Sequence, residues 1–207
     1  LLYRERTPGA NPGAWQEVYG YEFSGSGFSG QAALYFNERD EPCVIYLDAD
    51  RIFRRTTREA GTWKEGSQWR IPSSYGYYPP LTVTYAFEPD GTPHMLMLFA
   101  EFPYTSPTLV YARLEDPVEQ AEWALVGGPF GAVTSMAGFD DSVPDHYLYL
   151  KTPRSISLAR DGSGGLHAVY SVDQQVIPLG NGTYQRSTLQ YITKPPGGAW
   201  SAPQTLV

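Results

Sequence analysis

The 207-residue chain has a single cysteine, only three histidines and few charges, with 18% of residues Asp, Glu, Lys or Arg. One thiol, Cys43, excludes an internal disulfide. Fifteen basic residues stand against 22 acidic ones, for a formal net charge of −7. That balance argues against a nucleic-acid partner, because phosphate binding needs a Lys/Arg-rich surface. No apolar run is long enough to span a membrane, and no basic-then-apolar leader opens the sequence. A sustained helical period is missing throughout. So are the P-loop, the G-x-S-x-G elbow, a G-x-G-x-x-G that opens a helix, and H-E-x-x-H. The common nucleotide-binding, serine-hydrolase and zinc-protease readings therefore have no motif to rest on.

What is present is turn chemistry and repetition. Tyr (16), Gly (21) and Pro (18) are abundant and recur between short apolar runs, which is an all-β signature. One unit recurs about three and a half times. Its first strands are Ala33-Leu34-Tyr35-Phe36, Thr84-Tyr85-Ala86-Phe87 and Ser157-Leu158-Ala159-Arg160. Each enters a turn holding Asp40, Asp90-Gly91 or Asp161-Gly162, where Gly accepts positive φ and Asp tolerates it. Second strands open at Pro42-Cys43, Pro93-His94 and Leu166-His167. Third strands carry Tyr3, Phe53, Tyr111 and Tyr191, and fourth strands open at Trp15, Trp63, Trp123 and Trp200. Repeats of four short strands predict a β-propeller of four-stranded antiparallel blades. The reading is one domain over 1–207, with a half blade at 1–18 and complete blades at 31–71, 82–130 and 155–207. Three and a half blades fit a fragment or split chain of a larger propeller, with a compact four-bladed ring as the alternative.

Connection lengths point to one working face. The long connections are 99–108 and 172–188 between second and third strands, and 19–30, 70–82 and 126–155 between units. In an antiparallel meander both classes emerge at the same end, and variable loops on a rigid scaffold are where binding residues concentrate. These loops carry Tyr75, Tyr77, Tyr78, Phe102, Tyr104 and Tyr147. Tyrosine offers flat apolar area with a polar tip, which suits glycans or peptides. Arg154, near Lys151, adds a cation for an anionic ligand group. The other reading is that these aromatics pin the loops by packing. Asp140, Asp141, Asp145 and His146 form the densest polar cluster. They suit Ca²⁺ or acid/base work on a glycosidic bond, although the spacing fits no EF-hand and a solvated acidic loop is the plainer reading. Asp48 and Asp50 invite a weaker version of the same idea.

Cys43, His94 and His167 share one slot. Convergence on a metal is one reading. The structural one, a His ring bonded to the backbone of a neighbouring blade, is preferred because the short ligand pairs of true metal sites are missing. No metal or cofactor is therefore expected. Cys43 reads as a small buried residue, and the basic run Arg51 to Arg55 with Arg58 as a solvated strand face.

The pattern DGSGGLHAVYSV…LQYITKPPGGAWSAPQTLV resembles bacterial exported β-propellers of the BNR/sialidase-like type. The Asp-box of that group, S-x-D-x-G-x-x-W, is not matched, and its arginine triad cannot be assigned to residues here. The resemblance implies the propeller fold and a secreted, periplasmic or cell-surface location. It does not choose among hydrolases, lyases, lectins and interaction modules. The leading expectation is a binding module that recognises a glycan or protein partner through its Tyr-rich loops. The alternatives are a glycan-cleaving hydrolase or lyase, and a structural subunit whose propeller is completed by another chain.

Overall fold

Short apolar runs punctuated by Gly, Pro and Asp fold as strands. The computed structural model describes residues 2–3, 16–17, 32–48, 50–75, 80–99, 108–116, 120–127, 152–176 and 184–206. The chain divides after Ile71 into two units.

The first unit begins with a two-stranded antiparallel ladder, β1 (Leu2–Tyr3) and β2 (Gln16–Glu17). It continues with one four-stranded antiparallel meander: β3 (Ala32–Phe36), β4 (Pro42–Leu47), β5 (Ile52–Glu59) and β6 (Thr62–Arg70). The second unit holds two more. One is β7 (Thr82–Phe87), β8 (Pro93–Phe99), β9 (Thr108–Arg113) and β10 (Glu122–Gly127). The other is β11 (Thr152–Arg160), β12 (Leu166–Val176), β13 (Tyr184–Lys194) and β14 (Gln204–Thr205). The fold is all-β and built of propeller-type blades, as the repeat predicts. A central strand covered on both faces reads as an unbroken apolar run, and every residue of β8 is buried.

The first-to-second-strand turn is the same in all three blades. Its first residue (Asn37, Glu88 or Asp161) bonds through its N–H to the carbonyl of Glu41, Thr92 or Gly165. Its carbonyl accepts from the N–H of Asp40, Gly91 or Gly164, and those three residues have φ of 56°, 86° and 91°. This corrects the sequence alignment, in which Asp90-Gly91 and Asp161-Gly162 were equivalent. Asp161 belongs with Glu88, and Gly91 with Gly164. Asn37 and Asp161 also cap their own turns with a side-chain oxygen. Gly165 leaves room for the carboxylate, since a Cβ there would lie 2.8 Å from Asp161 Oδ2.

Two further slots shift. The ladder places Cys43 opposite Thr57, His94 opposite Arg113 and His167 opposite Thr193. Counting back two residues, the partner of Tyr111 and Tyr191 in the first blade is Arg55 and not Phe53. Trp63 pairs with Arg58 and Trp123 with Ala112, so these tryptophans share a face but not a rung.

The core of the first blade centres on Ile45, Phe53 and Trp69. Its basic run is half-buried, not solvated as expected: Arg55 lies over the Trp69 ring at 5.5 Å, and Arg54 bonds Asp48 and Glu65. In the second unit one core spans both blades. Ala86, Leu96, Leu109 and Tyr111 meet Leu158, Leu166, Ala168, Tyr170 and Ile192, with Trp200 edge-on to Tyr111 at 5.4 Å between ring centroids. This core holds the two blades against one another.

Asp48, 2% exposed, is a turn cap and ion-pair partner rather than a free carboxylate. Its Oδ1 accepts from the N–H groups of Asp50 and Ile52, both at 2.9 Å, and its Oδ2 from Arg54 Nε at 2.6 Å. Asp48→Ala leaves two turn amides and a half-buried guanidinium without this partner, so it is expected to lower stability by about 3 kcal/mol. Asp48→Asn keeps the caps and should lose less. Urea unfolding of the two variants checks the order.

Candidate functional site

The polar groups of the second unit gather at the short-turn end of its blades. The repeated element there is a side-chain rung. In the first of the two blades, His94 Nδ1 lies 2.7 Å from the Tyr111 hydroxyl and Nε2 3.0 Å from Glu88 Oε1. In the second, His167 Nδ1 lies 2.6 Å from the Tyr191 hydroxyl and Nε2 2.8 Å from Asp161 Oδ2. A neutral imidazole has one donor and one acceptor. The partners assign them: Nε2–H donates to the carboxylate, and Nδ1 accepts the tyrosine proton. The imidazoles thus bond within their own blade, to side chains, and not to the backbone of a neighbouring blade as expected from sequence. Cys43, in the same slot of the first unit, is buried, with Sγ 3.4 Å from Thr57 Oγ1.

Electrostatics follow from burial. Desolvation holds the pKa of His94 below its usual 6.5, and the opposing pull of Glu88 is the smaller effect. Burial pushes the Tyr111 hydroxyl well above the usual phenol range, so it remains a donor. The hydrogen bond from His167 holds the Asp161 carboxyl well below the usual carboxylate range, helped by Ser163 and the Gly165 amide.

Beside this rung, between the two blades, lies a cavity of about 340 Å³. One wall is Glu88, His94, Tyr111, Arg113 and Glu122. The other is Arg160, Ser163, Gly164, Leu166 and Lys194, closed by the turn 195–197. Arg113 donates through Nε to Glu88 Oε1 at 2.8 Å and pairs with Glu115. Lys194 Nζ lies over the Tyr111 ring, 5.5 Å from its centroid. The arrangement offers fixed donors and acceptors around a space of small-molecule size.

Of the binding residues expected from sequence, Tyr75 and Arg154 are described, and neither lines this cavity. Tyr75 ends the short helical turn Ser73–Tyr75 and stacks on Trp123 with ring centroids 6.3 Å apart, so it packs as a loop pin. Arg154 lies on β11. Tyr77, Tyr78, Phe102, Tyr104, Tyr147, Asp140, Asp141, Asp145 and His146 lie outside the described residues. Among the described residues, no three His, Cys, Asp or Glu side chains form a metal-holding group, and no helix is long and apolar enough to cross a membrane. The sequence reading missed Glu88, Arg113, Glu122, Arg160 and Lys194. No motif marks them. The signal for Arg160 was its place at the end of a first strand, where the other two blades have Phe36 and Phe87.

No protein-family model matches the chain, and no curated protein does. Solved structures similar to it are of a lectin from Aleuria aurantia. A mutant of that lectin in complex with alpha-methyl-L-fucoside matches at 11% identity and TM-score 0.35, over 85% of this chain and 60% of that one. A complex with Fucalpha1-6GlcNAc gives 11% and 0.34, over 85% and 61%. A mercury-derivative form of the fucose-specific lectin gives 11% and 0.34, over 85% and 60%. This chain spans about 60% of the length of the lectin chains it matches.

The rung makes a pH prediction. The folded pKa of His94 is depressed, so its contribution is intact above about pH 6.5 and is lost as pH falls through the depressed value. The urea midpoint should drop between pH 7 and pH 5, with a smaller drop in His94→Gln. Tyr111→Phe removes the donor to Nδ1 and should destabilise by about 1–2 kcal/mol at pH 7.

Proposed function

We propose that the chain is a carbohydrate-binding module and that the cavity between its second and third blades receives the sugar. The carrying observation is the mixed wall: guanidinium, ammonium, carboxylate and hydroxyl groups surround about 340 Å³ beside a Pro195–Pro196 edge. Sugar hydroxyls donate and accept at once, so a saccharide site needs both kinds of partner held in place, with an apolar edge for the C–H face of the ring. Packing fixes these groups before any ligand arrives, since Glu88 and Arg113 are bonded to each other and His94 is buried against both neighbours. Fixed partners reduce the ordering lost on binding.

This places recognition at the short-turn end of the strands. The Tyr-rich connections leave from the other end, where β8 finishes at Phe99 and β9 begins at Thr108. Those loops remain part of the proposal as a second contact surface for a longer glycan. The glycan-cleaving reading finds no support in the cavity. Its histidine, tyrosine and carboxylate repeat as a set in the next blade, where they do the same structural task.

The test is a glycan array followed by titration. Ser163 lies on the cavity rim and is exposed. Ser163→Trp should weaken glycan binding by more than about tenfold through occlusion, while Lys64→Ala, an exposed change in the first unit, should not. No glycan retained on the array, or binding indifferent to Ser163→Trp, would sink the proposal.

A further inference from the structure

The charges of the cavity are unevenly placed, and the asymmetry narrows the class of sugar. Arg113 is answered by Glu88 and Glu115. Arg160 reaches only the Asp161 carbonyl, at 3.5 Å, and Lys194 only the Tyr111 ring. Among the described residues neither has a carboxylate within ion-pair distance. Opposing them on the cavity wall is Glu122, likewise without an ion pair. Glu115, paired with Arg113 outside the lining, balances the total, so the positive charge is concentrated on the Arg160 and Lys194 wall of the cavity.

The other blades show that the scaffold does not need the charge of Arg160. Arg160 and Leu166 pair at the start of the turn, as Phe36 pairs with Pro42 and Phe87 with Pro93. Both other blades carry phenylalanine at this position, 57% exposed in the case of Phe36. Lys194, opposite Leu166, corresponds to Leu114 in the second blade, which is 1% exposed, and to Arg58 in the first. The turn also makes room for the guanidinium. Gly164 has φ of 91°, and a Cβ there would lie 3.1 Å from an Arg160 terminal nitrogen and 3.4 Å from Pro196. A side chain at 164 would crowd the arginine head that lines the cavity.

From these observations we infer that the cavity selects saccharides bearing an anionic group, a uronate carboxylate or a sulfate ester, received by Arg160 and Lys194. The inference rests on the saccharide reading above. An anion restores to both cations the partner that water supplies in the empty cavity, and a charge-assisted bond is stronger than a neutral one. A neutral sugar displaces that water and gives back less. Glu122 remains for ring hydroxyls, and its charge sets a limit on how strongly anions are favoured.

The experiment is titration of the 207-residue chain with matched sugars: glucose, glucuronate and glucose 6-sulfate, then galactose, galacturonate and galactose 6-sulfate. Within each set an anionic member should bind at least about tenfold tighter than the neutral one, with the preference shrinking in salt. A preference for the uronate identifies a carboxylate ligand, and one for the sulfate a sulfate ester. Arg160→Gln should abolish the preference, and Glu122→Gln should enlarge it. Arg160→Phe restores the residue of the other two blades, so it keeps the fold if glutamine does not, and it too should lose the preference. Equal binding of neutral and anionic members would overturn this inference and leave the saccharide reading standing. So would a preference indifferent to both Arg160 variants. Binding of none of these sugars, together with an empty glycan array, would overturn both.

Discussion

The second unit depends on a hydrogen-bonded rung that crosses each blade from turn to third strand. A carboxylate in the turn takes the imidazole proton, and the imidazole takes the tyrosine proton: Glu88, His94 and Tyr111 in one blade, Asp161, His167 and Tyr191 in the next. Buried tyrosine hydroxyls need a partner, since an unmet hydroxyl in the core is a large penalty. The rung supplies one, and in doing so locks the turn to a strand two ladders away. The first unit makes the same connection with smaller groups. Asn37 caps the turn, and Cys43 meets Thr57. The residue types change while the geometric task persists, which marks the slot as structural.

The cavity borders this rung and inherits its rigidity. Glu88 Oε1 accepts from both His94 and Arg113, so one carboxylate fixes a core imidazole and a cavity guanidinium together. Tyr111 is shared in the same way. Its hydroxyl belongs to the rung, one ring edge meets Trp200, and a face receives Lys194. Side chains whose rotamers are already fixed by packing make precise ligand partners. The site is thus assembled from strand ends and short turns that the core of the unit holds in place.

Strand content was legible in the sequence because period-2 patterning and turn residues report it directly. The His slot was legible because Pro-Cys, Pro-His and Leu-His open strands at matching distances. Register was not. Phe53 looked like the partner of Tyr111 because both are aromatic, yet the ladder assigns Arg55. Both ladders are regular, so the drift comes from connections of unequal length: β4 ends at Leu47 and β5 begins at Ile52, whereas β8 ends at Phe99 and β9 begins at Thr108. Such a difference moves a third-strand residue along the ladder while leaving its residue type unchanged. The site was illegible for a different reason. Glu88, Arg113, Glu122, Arg160 and Lys194 are scattered over about a hundred residues of sequence and meet only because two blades pack face to face.

Internal repetition separates the duties of these residues more sharply than burial does. A position that keeps its chemistry from blade to blade serves the blade. A position where one blade departs from the others is free for something else. Arg160 passes that test, since phenylalanine occupies its counterparts. His94 and Tyr111 fail it, although both line the cavity, because His167 and Tyr191 repeat them. Glu88 falls between. It repeats as an acid in Asp161, but unlike Asp161 it leaves the capping of turn amides to Asp90 and spends its oxygen on His94 and Arg113. A substitution at Glu88 therefore perturbs fold and cavity at once, and loss of binding there cannot distinguish the two. Arg160 can, because the scaffold demonstrably tolerates its absence in two sister blades. The physical separation of ligand chemistry from fold chemistry in this molecule runs through that residue.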